Sequence, residues 1–170
     1  QEMDSPDLAL NLARALYAAD KKSEAEAIVE QGLAKWPAST GLHTTLARMR
    51  IRRGDGDNAT AVMEAEMARR PADLALRLAC ADVLHRAKRN QKALDILADA
   101  LRAAPNNQAL LTAFGVVLDE LERPVDGLQV LRRVVELSAG APAAQRNLLS
   151  TLIRAGQADE ALRITRALRA

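Results

Sequence analysis

The chain repeats itself every 34 residues, and that cadence constrains its fold more than any other feature. "LAKWP" (33–37), "MARRP" (67–71) and "LRAAP" (101–105) close three successive stretches, with Pro37, Pro71 and Pro105 at the same step. Small residues keep that step at Ala25, Ala59, Ala93, Gly127 and Ala161. Apolar residues keep it at Leu12, Leu46, Cys80, Phe114 and Leu148, and β-branched ones at Ile28, Val62, Ile96, Val130 and Ile164. Self-similarity at a fixed period of this length marks stacked repeats, none of which can bury its apolar face alone.

Inside each repeat the spacing is helical. Leu76, Cys80, Leu84 and Ala87 lie three or four apart, and so do Ala93, Ile96, Leu97, Ala100 and Leu101. Short polar stretches ("ADKKS", "RGDGDN", "KRNQ", "LERPVD", "AGQAD") separate the two runs of each repeat. Each repeat therefore reads as two antiparallel helices joined by a tight turn. The proline ends the second helix, because it cannot donate to the helical ladder and disfavours helical geometry in the residue before it. Composition agrees: apolar residues are 49% of the chain but aromatics only 2%, and Ala and Leu, both strong helix formers, dominate. The chain reads as all-α, and its 170 residues can bury a core without metal or disulfide.

A 34-residue helix–turn–helix with a terminal proline and small residues in fixed places resembles the tetratricopeptide repeat (TPR). In the last repeat "NLLSTLIRAGQADEAL" carries the matching Leu148, Leu152, Gly156 and Ala161. The resemblance implies an α-solenoid of about five TPR units in one domain over 6–170, at 6–39, 40–73, 74–107, 108–141 and 142–170. Residues 1–5 form an N-terminal flank. It further implies a right-handed superhelix whose first helices line a concave surface. Three features depart from the family pattern. Leu or Val replaces most of its bulky aromatics, and Ala139 stands where a fourth proline is due. Arg50 occupies the place of Leu16, Leu84 and Leu118, where it is expected to snorkel.

Two passages invite more specific chemistry. "RMRIRR" (48–53) suggests a nucleic-acid patch, yet on a helix Arg48 and Arg52 share a face while Arg50 and Arg53 point elsewhere. The first reading is solvated charge that complements a helix C-terminus; the second is ligand contact by Arg48 and Arg52. Nucleic acid is disfavoured, since the net charge is only +2 and the period is 34 rather than the 35 of related RNA-binding repeats. "GDGDN" suggests a calcium loop, but that needs an oxygen donor and a glycine where the chain has Ala59 and Thr60. Gly54 instead matches Gly156 in a turn, with Asp57 as the expected cap of the following helix.

Nothing else assembles into a reaction centre. His43, His85 and Cys80 lack the spacing of a zinc site, and Cys80 has neither a base nor a second cysteine for a disulfide. Asp119, Glu120 and Glu122 cluster at a helix end, where solvated charge is the plainer reading. No glycine loop for phosphate is present, and no apolar run approaches membrane-spanning length. The expectation is a non-enzyme without cofactor, metal or membrane span. Compartment is open, with the cytoplasm favoured and the periplasm retained. The high Arg-to-Lys ratio, 19 to 5, fits a GC-rich bacterial gene.

In the TPR family the inner face of the first helices binds extended peptides. By register the groove takes Leu10, Arg14 and Tyr17; Thr44, Arg48, Ile51 and Arg52; and Leu78, Asp82, His85 and Arg86. Thr112, Val116, Asp119 and Glu120, then Arg146, Ser150, Ile153 and Arg154, complete it. The first three units are net basic there and the fourth is acidic. The expected partner is another protein or an extended peptide, with acidic groups beside Arg48, Arg52 and Arg86 and Tyr17 as a stacking anchor. The carboxylate clamp of chaperone-binding relatives fails on Leu10, Arg14, Thr45, Ala75 and Ala79. The asparagine ladder of the O-GlcNAc transferase repeats fails on Thr45, Ala79 and Ala113. An alternative is a recruiting segment of a larger bacterial enzyme of the sulfotransferase or 2-oxoglutarate/iron oxygenase type. The missing initiator Met, and a chain that stops before the next proline place, read as a piece of a longer protein. Thr165 and Arg169 make the last helix more polar than its predecessors, but Ile164 and Leu168 leave self-association through an end helix open.

Overall fold

The computed structural model describes residues 5–167; residues 1–4 of the flank, and Leu168 and Arg169, lie outside the described residues. These residues form helices without strands. In chain order they are α1 (Pro6–Ala18), α2 (Lys22–Lys35), α3 (Thr40–Arg52), α4 (Gly56–Arg69), α5 (Leu74–Arg86), α6 (Asn90–Ala103), α7 (Gln108–Glu120), α8 (Pro124–Leu137), α9 (Pro142–Arg154) and α10 (Ala158–Ala167). Every first helix has 13 residues. Each of α2, α4, α6 and α8 has 14. The cadence of the sequence is thus a cadence of helix starts.

Local chemistry sets those starts. Ser5, Ser39, Asp73 and Asn107 stand just before α1, α3, α5 and α7, and each side chain accepts a hydrogen bond from a backbone N–H in the first turn. Such a cap satisfies a donor that the helix itself leaves unpaired. The fifth place is Ala141, which cannot cap; there Pro142 pre-sets the first turn of α9 instead. Second helices start without a side-chain cap at Lys21, Asp55, Arg89 and Arg123. Asp57 is accordingly not the cap of α4: it lies in the first turn, where its charge faces the positive end of the helix dipole.

The turn inside each repeat passes through a left-handed residue at the same step: Asp20, Gly54, Lys88, Glu122 and Gly156. The next N–H closes the turn by donating back over it, as from Lys21 to the Leu16 carbonyl at 2.9 Å and from Gln157 to that of Leu152 at 2.9 Å. At Asp20, Lys88 and Glu122 a side chain is held where only glycine is free of steric cost, roughly 1–2 kcal/mol each. After α8 no proline is needed. Ala139 and Gly140 both take positive φ, and the Gly140 N–H bonds the Val135 carbonyl at 2.8 Å.

The described residues fall into two compact bodies, one of α1–α5 up to residue 88 and one of α6–α10 from residue 89. In the N-terminal body Ala9, Ala13, Ala25, Val29, Leu42, Leu46 and Met49 form a buried cluster, with Tyr17 and Trp36 packed on its edge. In the C-terminal body Leu128, Leu131, Leu148, Leu152 and Ala161 form one cluster, and Leu111, Val134 and Ala144 another. Each fully buried Leu or Val contributes roughly 1.5–3 kcal/mol. Leu12 departs from its column. With Leu8 it is over 40% exposed, whereas Leu46 and Cys80 at the same place are buried. In those repeats the first helix packs against the second helix of the preceding repeat; α1 has no such neighbour among the described residues.

Arg50 also departs from expectation, since it does not simply snorkel. Its side chain is 15% exposed and is held by Glu26 at 3.3 Å and Glu30 at 3.1 Å, both on α2. An ion pair fills a place that leucine fills in other repeats.

Candidate peptide-binding groove

In the N-terminal body α3 packs against both α1 and α5, so one face of three first helices is presented together. Arg14 and Tyr17 stand on α1, Arg48, Ile51 and Arg52 on α3, and Asp82, His85 and Arg86 on α5. Two cavities bring most of these residues together. One of about 260 Å³ is lined by Arg14, Tyr17, Ala18, Thr45, Arg48, Met49 and Arg52. Another of about 230 Å³ is lined by Arg48, Ile51, Arg52 and Arg86. His85 is half-buried on α5 and lines neither of them. Leu10 turns toward the core and packs on the buried cluster.

The four arginines of "RMRIRR" each find a different environment. Arg50 is committed to Glu26 and Glu30, and Arg53 reaches Glu26 at 2.7 Å and Asp55 at 3.4 Å. Both are structural. Arg48 donates from Nη2 to Asp82 Oδ2 at 2.7 Å and from Nε at 3.3 Å, across one full repeat. Arg86 Nε donates to the same carboxylate at 2.9 Å. Among the described residues Arg52 has a π partner only: its guanidinium lies 5.1 Å from the centre of the Tyr17 ring. A cation on an aromatic face gains roughly 0.5–1 kcal/mol at an exposed site and keeps the N–H donors at its edge.

Charge is therefore unevenly balanced. Burial alone would raise the Asp82 carboxyl, but hydrogen bonds from Arg86 and Arg48, and their charges, outweigh it and hold its pKa below the ordinary 3.8. Asp82 is a stable anion that serves two arginines. Arg14 and Arg52 have no carboxylate partner among the described residues, and they line the same cavity.

The C-terminal body treats its groove residues differently. Arg154 on α9 reaches Asp119 on α7 at 2.9 Å and Glu120 at 3.9 Å. The Thr151 hydroxyl donates to the same Asp119 oxygen at 3.4 Å, and the Asp119 side chain is only 8% exposed. These charges are spent on joining α7 to α9. Arg146 is exposed on α9, as is Ile153. Sequence reasoning missed a groove of about 560 Å³ here, lined largely by small and apolar residues such as Ala109, Ala113, Val134 and Ala144. Its signal was the run of alanines around the absent fourth proline.

No group of three or more His, Cys, Asp or Glu among the described residues is placed to hold a metal ion. No described helix is long and apolar enough to cross a membrane.

No protein-family model matches the chain, and no curated protein matches it in sequence. Solved structures do. A thermophilic TPR protein of Thermus thermophilus superposes with a TM-score of 0.73 at 23% identity, over 97% of this chain and 91% of that one. A putative kinesin light chain of Podospora anserina with nearly identical TPR-like repeats gives 0.74 at 20% identity, over 98% and 96%. A MamA structure from Desulfovibrio magneticus gives 0.69 at 17% identity, over 98% and 94%.

Proposed function

On this tetratricopeptide-repeat fold we propose a protein-interaction scaffold whose N-terminal body grips an extended, acidic segment of another protein. The observation that carries the reading is the pair Arg14 and Arg52, two cations without carboxylate partners among the described residues that line one cavity. Guanidinium is suited to the role, because its planar fork matches a carboxylate and it is weakly hydrated for a cation. Tyr17, packed on the core and stacked under Arg52, supplies a rigid floor. Ile51, beside Arg48 and Arg86, supplies apolar contact for the same segment.

Proteins of this fold present side chains from successive first helices, so affinity is summed over several weak contacts along a strand of partner. A hexaglutamate peptide, used as a probe of that chemistry, should bind with an affinity that falls steeply with salt. Charge reversal in the double variant R48E/R52E should weaken it by at least about tenfold, as loss of roughly 1.4 kcal/mol would. Unchanged affinity in that variant contradicts the reading.

A further inference from the structure

Arg14, Arg48, Arg52 and Arg86 line two cavities that share Arg48 and Arg52, and one carboxylate, Asp82, pairs with Arg48 and Arg86, which leaves an excess of three positive charges among these five residues. A single glutamate or aspartate of a partner would neutralise one. The donors are also held in place before any ligand arrives. Asp82 engages Nε and Nη2 of Arg48 and leaves Nη1 over. The Tyr17 ring occupies the face of Arg52 and leaves its N–H edge over. Arg14 comes from α1 rather than α3, and Thr45 adds a hydroxyl to the same lining. Donors from two helices, in a cavity of about 260 Å³, suit a group with three acceptor oxygens and more than one charge.

From this we infer that the Arg14–Arg52 pocket is a phosphoryl pocket, and that the partner segment carries a phosphorylated side chain there. The inference rests on the groove reading above and narrows it. A phosphorylated serine or threonine bears about −1.5 to −2 charge at pH 7 and offers three strong acceptor oxygens, where a carboxylate offers two and one charge. Arg14, Arg48 and Arg52 are the binding residues; Tyr17 and Asp82 are positioning residues that orient two of them.

The test uses the whole chain and three peptides, acetyl-Glu-Gly-Glu-X-Gly-Glu-amide, with X phosphoserine, glutamate or serine. At pH 7.5 the phosphoserine peptide should bind at least about tenfold more tightly than the glutamate peptide. That advantage should shrink at pH 5, where the phosphate regains its second proton (pKa about 6). The variant R14Q/R52Q should lower the phosphoserine-to-glutamate ratio below about two, while R133Q, in an exposed pair on the C-terminal body, leaves it unchanged. Equal affinity for both peptides, with both weakened by R14Q/R52Q, overturns the phosphoryl inference and leaves the acidic groove standing. No effect of R14Q/R52Q on either peptide overturns both. Inorganic phosphate that binds as tightly as the phosphoserine peptide overturns the assignment to a partner's side chain and points to a free anion.

Discussion

One junction within the repeat is built twice in this chain, with opposite chemistry. In repeat 2 Glu66 on α4 is 5% exposed and is surrounded by Arg69 at 3.0 Å, Arg70 at 3.1 Å and His43 at 3.8 Å. Arg70 goes on to the Ala38 carbonyl at 3.0 Å and to Asp73, the cap of α5, at 3.3 Å. His43 donates from Nε2 to the Pro37 carbonyl at 2.7 Å. Two repeats later, 68 residues on, the places of His43, Glu66, Arg70 and Asp73 belong to Leu111, Val134, Ser138 and Ala141. There Leu111 and Val134 join a wholly apolar cluster with Ala144. The fold thus asks for filled volume at this junction and accepts either currency of interaction. The ionic version has the sharper dependence on every member being present, since a buried charge that loses its partner keeps its desolvation cost.

The largest effect should come from breaking the ionic version. Glu66→Ala should cost about 3 kcal/mol in urea unfolding, because the half-buried Arg70 loses its carboxylate and the buried space that Glu66 fills is left empty. A second break tests close packing in the other body. At the places of Ala47 and Ala59 in repeat 2, the α7–α8 pair has Gly115 and Gly127. A Cβ on Gly115 would lie 2.8 Å from Leu131 Cγ. Gly115→Ala should therefore cost about 2 kcal/mol, although alanine is ordinarily the better helix former. Converting one junction into the other is the sharper test. His43→Leu with Glu66→Val and Arg70→Ser, which imports the residues of repeat 4 at all three places, should unfold within about 1 kcal/mol of the parent chain. In the opposite direction, Ala141→Asp should supply the missing cap of α9 and add about 0.5–1 kcal/mol.

The smallest effect is expected from acid. The folded pKa of Asp82 lies below its ordinary value, so its contribution is complete above that value and is lost only as pH falls through the folded pKa, below about pH 4. The group is partly exposed, and the loss should be under about 1 kcal/mol. It is read as the difference in thermal midpoint between pH 5 and pH 3, which D82N should reduce.

The fold was legible because its signal is repeated, and a column of five places survives one or two exceptions. The cap column was open to the same reading, yet it is carried by three residue types, Ser, Asp and Asn, and ends in Ala141. The left-handed column was harder to see, since Asp20, Lys88 and Glu122 share nothing with Gly54 and Gly156 except position. In the groove, register was enough to place Arg14, Tyr17, Arg48 and Arg52 on first helices. It could not say which arginines were already committed. Arg50 meets Glu26 and Glu30 more than a helix length away in sequence, and Arg48 meets Asp82 a full period away. Those pairings depend on the packing of neighbouring helices, which a single helix pattern does not encode.

What separates Arg14 and Arg52 from Arg50, Arg53 and Arg132 is that no carboxylate among the described residues holds them, and that difference can be watched directly. With the Nε–Hε resonances of the arginines assigned, titration of the hexaglutamate peptide should move Arg14 and Arg52 first and furthest. Arg50, Arg53 and Arg132, held by Glu26, Glu30 and Glu160, should stay in place until the peptide is in large excess. Shifts of equal size across all five would mean that the peptide reads only overall charge, and that the groove of the N-terminal body is not a site.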